Sequence, residues 1–96
     1  MNPPDPTRTA TRLEQVYLIE RDAGLLCRIL GLYAARSVDV LHVNYDYAAQ
    51  GLMKLQVSVG GLPETEEVVR VLVEKASTFI GVLAACEQDI AVRRAA

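Results

Sequence analysis

The segment 52–59, LMKLQVSV, alternates apolar and polar side chains from Met53 onward. Because successive side chains of a β-strand point to opposite faces of a sheet, this pattern predicts a half-buried strand. The preceding run 38–47, VDVLHVNYDY, is rich in β-branched and aromatic residues and predicts another strand. The residues 48–51 between them, AAQG, predict a turn, so the two strands form a hairpin.

A strand and a helix are predicted before this hairpin, and a helix and a strand after it. The segment 13–20, LEQVYLIE, predicts the first strand. Gly24 and apolar residues at helical spacing follow, with Asp22 well placed to cap a helix. Pro63 stands where a first helical residue is favoured, with glutamates crowding the first turn. The apolar segment 79–86, FIGVLAAC, predicts the last strand.

The order βαββαβ predicts an α+β fold, the ferredoxin-like sandwich. A right-handed crossover in each half places both helices on one face of a four-stranded antiparallel sheet, with strand order 4-1-3-2. Strands two and four are then edges. Strand two is long and carries only Asp39 and Asp46 to discourage pairing, so we expect a homodimer through edge strands.

The length of 96 residues allows a single domain. Three early prolines and the absence of apolar periodicity predict a disordered arm over 1–12, followed by the folded domain over 13–86 and a flexible tail over 87–96. A formal net charge of -2 argues against a nucleic-acid partner. No apolar run approaches the roughly 20 residues that span a bilayer, so no membrane association is expected.

The residues that could carry chemistry are few. Cys27 and Cys86 have no CxxC spacing, so we interpret them as reduced core thiols of a cytoplasmic protein. His42 is the only histidine and has no second ligand at metal-binding spacing, so neither a metal nor a cofactor is expected. Glu20 and Asp22 are either an acid/base pair or a turn acid and a helix cap. A small enzyme using Glu20, Asp22 or His42 is therefore one hypothesis.

A second hypothesis is a binding site at the start of the first helix. A helix N-terminus offers free N–H groups to a carboxylate, and Gly24 allows close approach of a ligand. In an edge-paired dimer, this turn can face strand two of the other copy, so a small amino acid would be held at the interface. An ordinary capped helix start is the alternative interpretation of the same residues.

The phrase 18–40, LIERDAGLLCRILGLYAARSVDV, resembles the opening of an ACT domain. More narrowly, it is similar to the short, single-ACT form of the small regulatory subunit of acetohydroxyacid synthase (acetolactate synthase). The phrase is similar to the family pattern G-x-L-x-R-V-x-G-L-F at Gly24, Leu26, Arg28, Ile29, Gly31, Leu32 and Tyr33, with Ile29 and Tyr33 in place of its Val and Phe. The resemblance covers residues 13–86 and is strongest in this helix.

This resemblance implies a non-catalytic regulatory subunit. Such a subunit binds and activates a thiamine-diphosphate-dependent catalytic large subunit in branched-chain amino-acid biosynthesis, and can confer feedback control by a branched-chain amino acid. The implied effector-binding residues are Arg21, Asp22, Ala23, Gly24, Leu25, Asp39 and Val40. Valine-sensitive members carry asparagine at the positions of Arg21 and Asp39, so valine is not the expected effector. The alternative is a free-standing ACT amino-acid sensor that regulates another enzyme or a transcriptional circuit.

Overall fold

The structure, a computed structural model, describes residues 12–60 and 63–89. The elements are β1 (Arg12–Glu20), α1 (Ala23–Ala35), β2 (Val40–Ala49), β3 (Leu52–Gly60), α2 (Pro63–Ala76) and β4 (Val82–Asp89). The strands form one antiparallel sheet in the order β2-β3-β1-β4. The predicted α+β fold, ferredoxin-like with βαββαβ order, is confirmed, as is the strand order.

The core lies between the helices and one face of the two inner strands. Met53, Leu55, Val57 and Val59 of β3 are all buried, as the alternation predicted. They pair with the buried positions 13, 15, 17 and 19 of β1, so both strands present the same face to the helices. Each helix adds apolar residues to this single cluster, which places both helices on one side of the sheet. We call this side the helix face and the other side the open face.

Local chemistry explains where the helices begin. Asp22 has an extended backbone and caps α1, as its position in the sequence predicted. Helix α2 begins at Pro63, where a missing N–H costs nothing, and Glu64 and Glu66 lie in its first turn. No helix in 12–60 or 63–89 has the length and apolar character needed to cross a membrane.

The last strand lies three residues further along the chain than predicted. Helix α2 ends at Ala76, and the hydroxyls of Ser77 and Thr78 donate to the carbonyl oxygens of Glu74 and Lys75 at 2.7 and 2.6 Å. A further turn follows, in which the Val82 N–H donates to the Phe79 carbonyl oxygen at 3.2 Å and Gly81 has φ +99°, so β4 starts at Val82. It therefore includes residues 87–89, the start of the predicted tail. Residues 90–96 and the arm up to residue 11 lie outside the described residues.

Candidate functional site

In the turn between β1 and α1, the Asp22 side chain caps the N-terminus of the helix. The Asp22 carboxylate accepts hydrogen bonds from the backbone N–H groups of Gly24 at 2.8 Å and Leu25 at 3.4 Å. These N–H groups are among the donors that we expected a ligand carboxylate to use. Because Asp22 already occupies them, a ligand anion at this turn would bind chiefly through the exposed side chain of Arg21.

Backbone hydrogen bonds connect the same turn to the β2–β3 turn and to the α2–β4 connection. The Arg21 backbone N–H donates to the Gly51 carbonyl oxygen at 3.0 Å, and the Glu20 N–H donates to that of Gly81 at 2.9 Å. Gly81 has φ +99°, and a Cβ added to it would lie 2.8 Å from Leu25 Cδ2. The buried Leu25 side chain therefore packs inward against the α2–β4 connection. Of the predicted site residues at this turn, Arg21, Asp22, Ala23 and Gly24 are exposed.

The other two predicted site residues lie at the opposite end of the sheet. Val40 pairs with Val59 near the end of β3, whereas Glu20 pairs with Leu52 at its start. Seven residues of strand separate these positions, which corresponds to about 24 Å. Asp39 directly precedes Val40, so one chain does not bring the two groups of predicted residues together.

Asp39 instead lines a cavity of about 320 Å³ beside the N-terminus of α2. Its lining residues are Arg36, Ser37, Val38, Asp39, Gly60, Glu64, Thr65 and Val68. One Arg36 nitrogen donates to the Leu32 carbonyl oxygen at 3.3 Å, which holds the guanidinium near the end of α1. The cavity thus combines a cation, two carboxylates and two valines. Asp39 was predicted as a site residue, but the cavity was not predicted, because its walls come from three separate segments of the chain.

A buried polar cluster in the core was also missed by the sequence analysis. The Tyr33 hydroxyl donates to Gln15 Oε1 at 2.9 Å and lies 2.7 Å from the Tyr17 hydroxyl. Gln15 is fully buried, and its Nε2 has no hydrogen-bond partner among the described residues. Burial raises the pKa of Tyr17 to about 12 and raises that of Tyr33 still further, and the charge of Glu87 adds to both rises. A glutamine among the inward positions of β1 was the available signal.

The structure does not bring together the side chains considered for catalysis, because His42 pairs near the end of β3 whereas Glu20, two residues before Asp22, pairs with Leu52 at its start. His42 is exposed on β2 and pairs with Ser58, on the open face. Cys27 and Cys86 are exposed, so their assignment to the core was wrong. Cys27 falls between the buried positions of α1, and Cys86 pairs with Val16 on the open face, which no helix covers. The described segments contain no group of three or more metal-ligating side chains.

The edge strand β2 carries an apolar surface. Leu41, Val43 and Tyr47 are 52, 40 and 65% exposed, and we call these three residues the β2 patch. Val43 and Tyr47 pair with the buried Val57 and Met53, so they lie on the helix face beyond the reach of the core. A second exposed apolar pair, Ile80 and Leu83, lies at the start of β4, with Ile80 91% exposed.

Comparisons with known proteins identify the fold. No family model matches the chain, and no curated protein matches its sequence. Among solved structures, the C-terminal domain of the MgtC protein from Mycobacterium tuberculosis is similar, with TM-score 0.71 and 12% identity over 82% of this chain and 86% of that one. The ACT domain of GTP pyrophosphokinase from Chlorobium tepidum matches with TM-score 0.66 and 13% identity over 80% of this chain and 96% of that one.

An ACT domain protein from Streptococcus pneumoniae also matches, with TM-score 0.66 and 12% identity over 90% of this chain and 97% of that one. At these identities the similarity concerns the fold alone. The chain therefore has the four-stranded ferredoxin-like fold found in ACT domains. None of these three structures is described as a subunit of acetohydroxyacid synthase.

Proposed function

We propose that the chain is a non-catalytic regulatory subunit that binds and activates the thiamine-diphosphate-dependent catalytic subunit of acetohydroxyacid synthase in the cytoplasm. The observation that carries this proposal is an ACT-type fold whose edge strand bears apolar surface that its own core does not use. The helix phrase 24–33, which is similar to that of the small-subunit family, supplies the choice of enzyme. An edge of this kind favours association with another protein.

In this proposal two copies pair through their β2 edges. A two-fold axis along the sheet normal pairs the two edge strands antiparallel and leaves both helix layers on one side. The start of β2 in one copy then lies at the same end as the β1–α1 turn of the other. That turn follows β1, three strand spacings from β2 of the first copy, at about 14 Å. The predicted effector residues of one chain, separated by the length of β3, are thereby brought near those of the other.

The proposed effector is a branched-chain amino acid at this interface. Because Asp22 caps α1, the Arg21 guanidinium is the group that binds the ligand carboxylate, with Asp39 and Val40 of the other copy nearby. Asp39 has only acceptors and suits the ligand ammonium. This division of roles favours a zwitterion, as a free amino acid is.

The test of the subunit proposal is an assay with the catalytic large subunit from the same organism. We expect the two proteins to co-elute on size exclusion, and acetolactate formation to rise when this chain is added. The chain alone should form no acetolactate. The double replacement Ile80→Ser with Leu83→Ser, near the start of β4, tests whether the large subunit docks on this exposed apolar pair, in which case co-elution should weaken. Val71→Ser, on the exposed side of α2, is the control and should leave co-elution unchanged. Absence of both co-elution and activation would contradict the proposal.

Calorimetry tests the effector separately. Arg21→Ala should weaken leucine or isoleucine binding by about tenfold or more, since a hydrogen bond between charged groups contributes about 1.5–3 kcal/mol. Arg70→Ala removes an equally exposed arginine on α2, whose ion pair with Glu67 is 3.2 Å long, and should leave binding unchanged. If no branched-chain amino acid binds the wild type, the effector is refuted while the subunit proposal stands.

A free-standing ACT sensor is the second candidate. The similar ACT domain of GTP pyrophosphokinase belongs to an enzyme that is unrelated to acetolactate formation, which favours a broader range of partners. A sensor would bind an amino acid in calorimetry yet fail to associate with the large subunit. The pair of experiments above therefore separates the two candidates.

A further inference from the structure

The β2 edge presents a short regular stretch between two irregularities. Pairing with β3 shifts register between Val40 and His42 and again between Tyr47 and Ala49. Between these points, residues 42–47 pair one-to-one with β3. An added strand requires a regular partner, so a second copy would pair within 42–47. This step rests on the edge dimer proposed above and concerns its register.

The faces of the sheet restrict that register. His42, Asn44 and Asp46 pair with Ser58, Gln56 and Lys54 on the open face, whereas the odd-numbered residues lie on the helix face. In a continuous sheet, directly opposed residues have side chains on the same face. The two residue numbers of each pair must therefore both be even or both be odd. The two-fold axis then passes midway between the two copies of one residue. Only two registers, with the axis between the two copies of Asn44 or between the two copies of Tyr45, place five residue pairs within 42–47.

We propose that two copies of this chain pair through β2 with the two-fold axis at Asn44, so that His42 of each copy lies opposite Asp46 of the other. This register forms two identical pairs of opposite charge when the histidines are protonated. It also sets Val43 opposite Tyr45 of the second copy, a favourable pair of a β-branched and an aromatic residue. The register centred on Tyr45 instead leaves His42 opposite Ala48, in an irregular segment.

The surroundings of both groups favour the same arrangement. His42 faces Ser58 of β3, with Asn44 beside it on its own strand, and none of these is ionisable. The nearest acidic residue of the inner strands on that face is Glu14, opposite Ser58 on β1, about 10 Å away. Asp46 lies opposite Lys54 and accepts a hydrogen bond from Asn44 Nδ2 at 2.8 Å, which orients its carboxylate.

This register makes dimerisation dependent on pH. Histidine changes charge between pH 5 and 8, and each protonated His42 gains a carboxylate partner only in the dimer. Association should therefore strengthen as pH falls from 8 to 6. Two exposed cross-strand charge pairs correspond to a change of roughly fivefold in the dissociation constant.

Sedimentation velocity of the purified chain at pH 8 and pH 6 tests the pH dependence. We expect the wild type to associate about fivefold more tightly at pH 6, and His42→Gln to lose that dependence. His42→Asp places two aspartates opposite each other and should weaken the dimer. Adding Asp46→His to it exchanges the two groups and should restore the dimer, because the register is symmetric. A double variant no better than His42→Asp overturns the proposal.

Cysteine cross-linking tests the register itself, in a background of Cys27→Ser with Cys86→Ser. Asn44→Cys should form a disulfide dimer under mild oxidation, because its two copies face each other across the axis. Tyr45→Cys should remain uncrosslinked. Efficient cross-linking of Tyr45→Cys alone would overturn the register while leaving an edge dimer. A strict monomer would overturn the inference, whereas activation of the large subunit remains a separate measurement.

Discussion

The two strands of one hairpin, β2 and β3, both alternate apolar and polar residues but have opposite surroundings. On the helix face, Leu55 and Val57 of β3 are completely buried, whereas Tyr47 and Val43 of β2 are largely exposed. The difference does not come from composition, because both strands alternate apolar residues on this face. It comes from position, since β3 is an inner strand and β2 an edge. Apolar residues on β2 thus exceed what the chain's own core requires.

The largest expected effect tests this contrast directly. Leu55→Ala removes a fully buried side chain and should lower the free energy of unfolding by about 2–5 kcal/mol. Tyr47→Ala, on the same face of the neighbouring strand, should lower it by less than about 0.5 kcal/mol in the monomer. Urea denaturation at concentrations where the chain is monomeric measures both. Equal losses would mean that β2 belongs to the core after all.

The tyrosine hydroxyls give a subtler test, because Tyr33 is buried in the core whereas Tyr47 is exposed on β2. Tyr33→Phe removes a hydroxyl that bonds Gln15 and Tyr17 within the core, and leaves Gln15 with a further unsatisfied atom. The expected cost is about 1–2 kcal/mol. Tyr47→Phe removes a hydroxyl from the exposed strand and should leave the unfolding free energy within about 0.5 kcal/mol of the wild type.

Thermal and urea unfolding of these two variants at pH 7 provide the measurement. A Tyr33→Phe protein as stable as the wild type would show that the buried hydroxyl contributes nothing beyond its ring. A comparable loss in Tyr47→Phe would instead show that the hydroxyl on β2 is bonded within the chain. Either result would reduce the expected difference in stability between a hydroxyl in the core and a hydroxyl on the edge strand.

The parts of the fold that local chemistry determines were predictable from the sequence. The alternation in 52–59 identified β3 and its buried face, and Asp22 and Pro63 marked the starts of both helices. The start of β4 was not predictable, because Phe79 and Ile80 belong to a turn that a hydrogen bond from the Val82 N–H to the Phe79 carbonyl oxygen closes, with Gly81 at positive φ. Apolar sequence alone cannot distinguish such a turn from a strand.

The candidate site was predictable only in part. The β1–α1 turn was recognised, and the hydrogen bonds from the Gly24 and Leu25 N–H groups to Asp22 agree with the alternative interpretation of it, an ordinary capped helix start. The separation of Asp39 from that turn follows from sheet topology, which the predicted strand order already contained. The cluster around Gln15 required knowing which residue of α1 faces β1. Side-chain contacts between residues far apart in the chain were therefore not predictable from the sequence.

The smallest expected effect concerns the other edge strand. Unlike β2, β4 packs against α2, and Glu87 lies opposite the buried Gln15. Partial burial raises the pKa of Glu87 above its usual 4.5, the nearby Arg70 lowers it to a lesser extent, and Glu66 adds to the rise. The folded state therefore holds this proton more tightly than the unfolded state. The penalty for ionising Glu87 is absent at low pH and appears as pH rises above about 4.5.

Glu87→Gln removes this penalty, so the variant should gain stability over the wild type between pH 4 and 7. Because most of the side chain remains solvated, the gain should stay below about 0.5 kcal/mol. Glu74→Gln, an exposed glutamate on α2, is the matched control and should show a smaller gain over this range. Urea titrations at both pH values decide the point. A Glu87→Gln protein that becomes less stable than the wild type as pH rises would contradict this prediction, because it would mean that attraction to Arg70 outweighs the burial of the wild-type carboxylate.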